Sequence, residues 1–327
     1  MSFMRRRTLV LIQLASASFL TGCQTTKPDW YLNPKVSSDQ YLYSVAQARN
    51  LPHAKKIAVS NINESLWTQV DSSTYIREVF KESSNNSSIN NLVDNKINTQ
   101  TESLTLNGIE FVKIEENELG SFVEVRIKKS SIIEQLKREL REMNQKASMQ
   151  LLRFDRQDRL LWWLENSDAR QLHRDALVRI SMLAPLDPSF QPNISQLSDY
   201  VALYEQVVSS FYFGLQSDSQ SRLALRFIGE QLSEFNIATD QLRRRGQTHV
   251  IKVTGEKRSS ELSGNYISTI VYKIKVKDIK NRTISSNEII STGNSVLSYK
   301  YADEGAARHL NEQINEKGIW NVLGLNN

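Results

Sequence analysis

The chain has 327 residues, 39% of them hydrophobic and 24% charged, which fits two or three compact units and excludes a polytopic membrane protein or a wholly disordered one. The formal charge of +5 sits at the front: without Arg5, Arg6 and Arg7 the 41 basic residues fall to 38, against 36 acidic ones, too even a balance for a nucleic-acid binder. A single cysteine excludes an internal disulfide and a cysteine-rich zinc site.

The three arginines precede Thr8 to Leu20, a mostly apolar run of thirteen residues. At about 1.5 Å per residue it reaches roughly 20 Å, short of the ~30 Å bilayer core, so it reads as a secretory leader over residues 1–22. The cleavage region Leu20-Thr21-Gly22-Cys23 resembles the bacterial lipobox. The resemblance implies that Cys23, the sole thiol, receives a diacylglyceryl group and that the new amino terminus is acylated. No other cofactor is expected. Each buried methylene adds about 0.8 kcal/mol, so three acyl chains hold firmly. Gln24 stands where an aspartate signals inner-membrane retention in that class, which points to the outer membrane. Residues 23–27 form a lipidated tether that reaches roughly 17 Å at most.

Residues 28–129 read as a small α+β domain. Tyr41 to Ala46 is a strand, and Pro52 opens a helix with Ala54, Ile57, Ala58 and Leu66 on one side. Tyr75 to Phe80 is a second strand, Ser83 to Ser88 a polar loop, and Ile89 to Ser103 a weak helix. Gly108 to Glu115 and Phe122 to Lys128 form a hairpin turning near Gly120.

Residues 130–206 read as a long antiparallel helical hairpin. Ser131 and Glu134 make a capping box. Ile133, Leu136, Leu140, Met143, Ala147, Leu151 and Phe154 then step by three and four in a coiled-coil-like seam. Asn166-Ser167-Asp168 turns the chain, Leu172, Ala176, Ile180 and Leu183 line the return helix, and Pro185 and Pro188 end it. The two helices should be about 50 Å and 25 Å long. Ile194 to Glu205 adds a short helix. Residues 207–327 read as a distal α+β domain. It has a strand from Ser209 to Leu215, a helix through Leu225, Ile228, Leu232 and Phe235, and a short strand from Val250 to Thr254. A long strand follows from Tyr266 to Val276, its partner runs from Ile284 to Leu297, and a last helix through Ala302, Ala306, Leu310 and Ile314 stops near Gly318. The fold class is α+β, two small domains separated by the hairpin.

Pro28-Asp29-Trp30-Tyr31-Leu32-Asn33-Pro34, then Tyr41-Leu42-Tyr43 and a helix with Ala54 and Ala58, resembles the start of the LPP-twenty family of outer-membrane lipoproteins. That module is related in turn to domains of flagellar assembly proteins. Family members place glycines after the tyrosine strand, where this chain has Ser44-Val45-Ala46. The distal domain is weakly similar to curli-transport and TolB amino-terminal domains. The resemblance implies structural and assembly roles, with no catalytic residue to carry over.

His53, His173, His249 and His309 show no metal-ligand spacing and read as surface or cap residues, and neither a nucleophile elbow nor a phosphate-binding loop is present. No catalytic or metal-binding residue is therefore expected. Trp162 and Trp163 lie in an apolar block, Leu160 to Leu164, that wraps a whole helix circumference, and either pack internally or form a protein contact. Arg243, Arg244 and Arg245 read as a solvated helix end or an anionic contact, and Lys273, Lys275 and Lys277 as a solvent face or an acidic-partner surface. The expected protein is an outer-membrane, periplasm-facing, non-enzymatic scaffold for a flagellar or pilus-like assembly. Its partners are outer-membrane lipid and envelope proteins, not nucleic acid, with self-association left open. The alternative is a regulator that docks on a peptidoglycan synthase.

Overall fold

The computed structural model describes residues 26–71, 105–242 and 244–325. The strand, loop and helix expected within residues 75–103 lie outside the described residues, as do the leader, Cys23 and Arg243. The architecture is mixed α and β with two open sheets among the described residues. The chain divides into two compact units, Met1–Leu136 with Ser181–Ser189, and Lys137–Ile180 with Phe190–Asn327. The helical region is shared out between the two units and forms no third unit of its own.

In the first unit, α1 (Asp29–Leu32) leads into β1 (Tyr41–Ala48) and α2 (Leu51–Asp71), followed by β2 (Glu110–Asn117) and β3 (Gly120–Lys128). The sheet order is β1-β3-β2, antiparallel throughout. Strand alternation sends Leu42 and Ala46 of β1 and Val123, Val125 and Ile127 of β3 to one face, all buried. Ala54, Ala58, Ile62 and Leu66 of α2, spaced by four, are buried with no exposure at all. Two alanines at that spacing let a helix lie close on a sheet, and full burial of an Ile or Leu side chain adds about 1.5–3 kcal/mol. The opposite face carries Phe122, against which Tyr31 of α1 packs edge-on at 5.0 Å. Gly120 takes φ +122, and a Cβ there would meet the Ala48 carbonyl oxygen at 2.4 Å, so the turn expected at this residue depends on glycine.

Helix α3 (Lys129–Phe154) follows β3 without a break. Ser131 therefore lies inside the first turn and not at the N-cap that the capping-box reading gave it. The long helix of about 50 Å does not form. The chain leaves α3 at Phe154 and restarts as α4 (Arg159–Glu165), because Asp158 offers its carboxylate to the amides of Leu160 and Leu161. Helix α5 (Ala169–Leu186) returns antiparallel to α3, with Glu139 bonded to Arg179 at 3.0 Å and Lys146 bridged to Asp168. Helix α6 (Ser195–Ser209) follows, so Ser209 ends a helix where a strand was expected to begin.

The remainder holds β4 (Tyr212–Ser217), α7 (Arg222–Glu234), β5 (Ala238–Asp240), β6 (His249–Leu262), β7 (Asn265–Asp278), β8 (Thr283–Ser295), α8 (Tyr299–Lys317) and α9 (Ile319–Val322). The order is β5-β4-β6-β7-β8, parallel across β5, β4 and β6 and antiparallel beyond. The short strand read at Val250 to Thr254 runs on to Leu262. Its second half is polar and exposed, which hid its period, yet it pairs with β7 to the last residue. Ser263 and Gly264 close that hairpin, both with positive φ. The small residues of α8 have a partner: a Cβ on Gly293 of β8 would meet the Ala302 carbonyl oxygen and the Ala306 amide at 2.2 Å. Helix and strand therefore touch backbone to backbone.

Candidate functional site

The site is built in the second unit around the apolar block of α4. Trp162 and Trp163 are neighbours with opposite fates. Trp162 is fully buried, its Nε1 donates to the Gln150 carbonyl at 2.9 Å, and Phe154 and Tyr200 meet its ring edge-on at 5.1 and 5.9 Å. Tyr200 donates to Asn166 at 2.6 Å, and Asn166 in turn bonds the Trp162 carbonyl. Burial drives the Tyr200 phenol well above its ordinary range. Trp162 thus packs internally and leaves no surface for a partner.

Trp163 faces a different environment. It stacks on Tyr204 of α6 at 5.8 Å and meets Phe211, Phe235 and Trp320 edge-on at 5.8, 6.4 and 5.6 Å. It is 7% exposed, and its Nε1–H has no hydrogen-bond partner. With Tyr204, Phe235 and Trp320 it lines a solvent-open groove of about 1000 Å³, whose rim carries Glu165, Ser167, Arg170, Ser209 and Asn236. Phe235 and Trp320 lie 5.2 Å apart at 60°. Phe235 caps α7, and Asn236 follows at φ +58 while Ile237 returns a bond to the Leu232 carbonyl, a left-handed helix stop that asparagine tolerates.

Asp158 fixes α4 twice. Besides capping the helix, it accepts from Nε2 of His249 at 3.1 Å, and His249 is 97% buried, with Phe211 and Phe213 against its ring. His249 is therefore an interior joint, not the surface or cap residue its sequence context suggests. Burial alone would raise the Asp158 carboxyl, but the His249 bond and the two amides outweigh it and hold the group below its ordinary range. His309 is also engaged, its Nδ1 accepting from the Thr292 amide.

The basic residues fall elsewhere. Arg244 is exposed and pairs with Asp240 at 2.7 Å, and Arg245 is exposed. Lys273 pairs with Glu256, Lys277 bonds Asn281 at 3.1 Å, and exposed Lys275 lies directly across from exposed Lys252. All three lysines lie on the sheet face opposite buried Ile270, Tyr272, Ile274 and Val276. Among the described residues, neither group lines the groove. Among the described residues no cluster of three metal-binding side chains occurs and no helix is long and apolar enough to cross a membrane. The groove residues went unnoticed in the sequence because Tyr204, Phe235 and Trp320 come from three separate helical segments. The local signal was the excess width of the block around Trp163.

The first unit is a compact α+β module closed by an aromatic lead-in. Residues 28–128 match the family model described as LPP20 lipoprotein, so the first domain belongs to that family. A membrane-anchored place in the cell envelope goes with it. No curated protein matches the chain. The crystal structure of the secreted protein HP1454 from Helicobacter pylori is similar at a TM-score of 0.50 over 86% of this chain and 98% of that one. At 16% identity the likeness is one of fold alone. A minor lipoprotein from Acinetobacter baumannii covers 35% of this chain and 93% of its own at 11% identity, with a TM-score of 0.28. Lipoprotein GNA1162 from Neisseria meningitidis covers 32% and 99% at 13% identity, with a TM-score of 0.24. Neither superposition is close enough to argue from.

Proposed function

We propose that the chain is an outer-membrane lipoprotein, anchored through acyl chains on Cys23, that acts without catalysis as a scaffold in building an envelope or surface assembly of flagellar or pilus type. The observation that carries this reading is the closeness of the LPP20 domain to the lipobox-like Leu20-Thr21-Gly22-Cys23. The Thr26 carbonyl already accepts from the Asn117 side chain at 3.2 Å, so three residue steps, about 10 Å, join Cys23 to folded structure. A body on so short a tether works at the membrane face, as a docking module does. Gln24 favours the outer membrane, and the flagellar, curli and TolB-type likenesses rest on the sequence alone.

Fatty-acid labelling and mass analysis of the native amino terminus test the anchor. A triacylated Cys23 is expected, with Cys23→Ser shifting the protein from the outer-membrane fraction to the soluble one. An unmodified terminus, or unchanged fractionation, overturns the reading. Cross-linking from detergent-extracted membranes tests the scaffold. Capture of flagellar or pilus components is expected, and capture of a cell-wall synthase would assign the protein to regulation instead.

A further inference from the structure

We propose that the groove of the second unit binds a neutral saccharide chain, one sugar ring seated on the Phe235–Trp320 ledge and an oxygen acceptor turned toward the indole of Trp163. This stands apart from the anchoring reading, since none of its residues lies in the LPP20 domain. Four observations carry it. The volume, about 1000 Å³, is at the upper end of small-ligand sites and suits more than one ring. Phe235 is 38% exposed and Trp320 half-buried, and the 60° between them offers two tilted π faces. The C–H edge of a sugar carries slight positive charge and is drawn to such faces.

The rim supplies the second half of the recognition. Glu165, Ser167, Arg170, Ser209 and Asn236 are all exposed and mix donors with acceptors, the pattern that hydroxyl groups satisfy. Arg170 is paired with Glu205 at 3.1 Å and Glu165 accepts from Gln157 at 3.2 Å, so no strong unpaired charge selects an ion. An acyl chain or an apolar side chain would strip water from this rim without replacing its bonds. The third observation is the Trp163 Nε1–H, a donor 93% buried with its residue and unmatched. The atom itself has almost no solvent-accessible surface, so a ligand oxygen meets it only once the indole turns toward the groove, and a carbonyl or hydroxyl that does so removes the cost of an unmatched buried donor, about 1–3 kcal/mol. The fourth is that, among the described residues, no lysine or arginine lies over Trp163, Tyr204, Phe235 or Trp320, although five aromatic rings of the first unit and four others of the second are covered in that way.

The test titrates the full chain in detergent with the trimer of N-acetylglucosamine, with cellotriose and with a Phe-rich tripeptide, read by tryptophan fluorescence and calorimetry. Saturable binding of either sugar with Kd between about 10 μM and 1 mM is expected. If only the N-acetylated trimer binds, the acceptor is the acetamido carbonyl; if both bind, it is a hydroxyl, and either result supports the proposal. Phe235→Ala should weaken binding at least tenfold. Trp163→Phe, which keeps an aromatic ring and removes the donor, should weaken it several-fold while lowering Tm by no more than a few degrees. No saturable binding of either sugar overturns the proposal, as does binding of the tripeptide alone or binding unchanged in Phe235→Ala. Phe235 is an exposed ring, so that variant decides the matter even if Trp163→Phe fails to fold.

Discussion

Two clusters of aromatic side chains, one in each unit, are set up in different ways. In the first, Trp30, Tyr31, Tyr41 and Tyr43 come from the lead-in and the strand it joins, and each ring has a cation over it: Lys113 at 5.5 Å, Lys27 at 5.5 Å, Arg126 at 4.8 Å and Lys35 at 5.5 Å. Lys113 also reaches Glu124, a carboxylate only 1% exposed on the middle strand, at 3.3 Å without hydrogen-bond geometry. In the second unit Trp163, Tyr204, Phe235 and Trp320 come from four helical segments and lie around a groove with no cation over them among the described residues. Rings that are close in sequence are closed off by their own chain. Rings gathered from distant segments converge at helix ends, where backbone geometry leaves concave space.

The largest expected effect contrasts the adjacent tryptophans. Trp162→Ala should destabilise the second unit by about 3–5 kcal/mol, the usual loss for a large buried ring. Trp163→Phe should cost less than about 1 kcal/mol, because the aromatic contacts persist and an unmatched donor disappears. Denaturant unfolding followed by hydrogen exchange assigns each loss to its unit. Similar losses at both positions would remove the distinction between a packing ring and a groove ring.

Asp158→Ala should cost about 2–3 kcal/mol, since it removes a helix cap worth about 1 kcal/mol and leaves buried His249 without its acceptor. The pH dependence has a definite sign. The folded carboxyl lies below its ordinary value of 3.8, so its contribution is present above that value and is lost as pH falls through the lower folded one. The stability gap between wild type and Asp158→Asn should be widest above about pH 5 and shrink below pH 4. In the first unit, Lys113→Met should cost about 2 kcal/mol, more than the 0–1 kcal/mol of a surface ion pair, because Glu124 stays buried. A cost near zero would mean that the cations over the first unit's rings only decorate its surface.

Much of the fold was legible because it repeats locally. Leu42 and Ala46 alternate, Ala54 and Ala58 step by four, and Gly120 marks its hairpin, so the family module could be read from residues within a few turns of one another. The break at Asp158 was not legible: the seven-residue step from Phe154 lands on apolar Leu161, so the seam itself gives no stop, and the Asp158 that caps the new helix is held by His249, 91 residues away. The second half of β6 was hidden for the opposite reason. Glu256 to Glu261 is polar because that end of the strand is exposed, so hydrophobic period carries no signal where backbone pairing to β7 and ion pairs such as Lys257 with Asp303 hold the strand. The groove depended on the first of these hidden features, since Asp158 caps the helix that carries Trp163.

The smallest effect comes from two tyrosines that are both fully buried in the second unit. Tyr200 donates to Asn166 at 2.6 Å, whereas the Tyr272 hydroxyl has no partner and burial, with the charges of Asp303 and Asp218 adding to it, pushes that phenol above its ordinary range. Tyr200→Phe leaves the Asn166 carbonyl oxygen unmatched and should cost about 1–2 kcal/mol. Tyr272→Phe removes an unmatched hydroxyl from the sheet core and should be neutral or stabilising by up to about 1 kcal/mol. Melting curves of the two variants, taken under identical conditions, should therefore move apart by several degrees. A loss in Tyr272→Phe equal to that in Tyr200→Phe would show that the Tyr272 hydroxyl has a partner in solution, and the same reasoning would then weaken the claim that the Trp163 donor awaits a ligand.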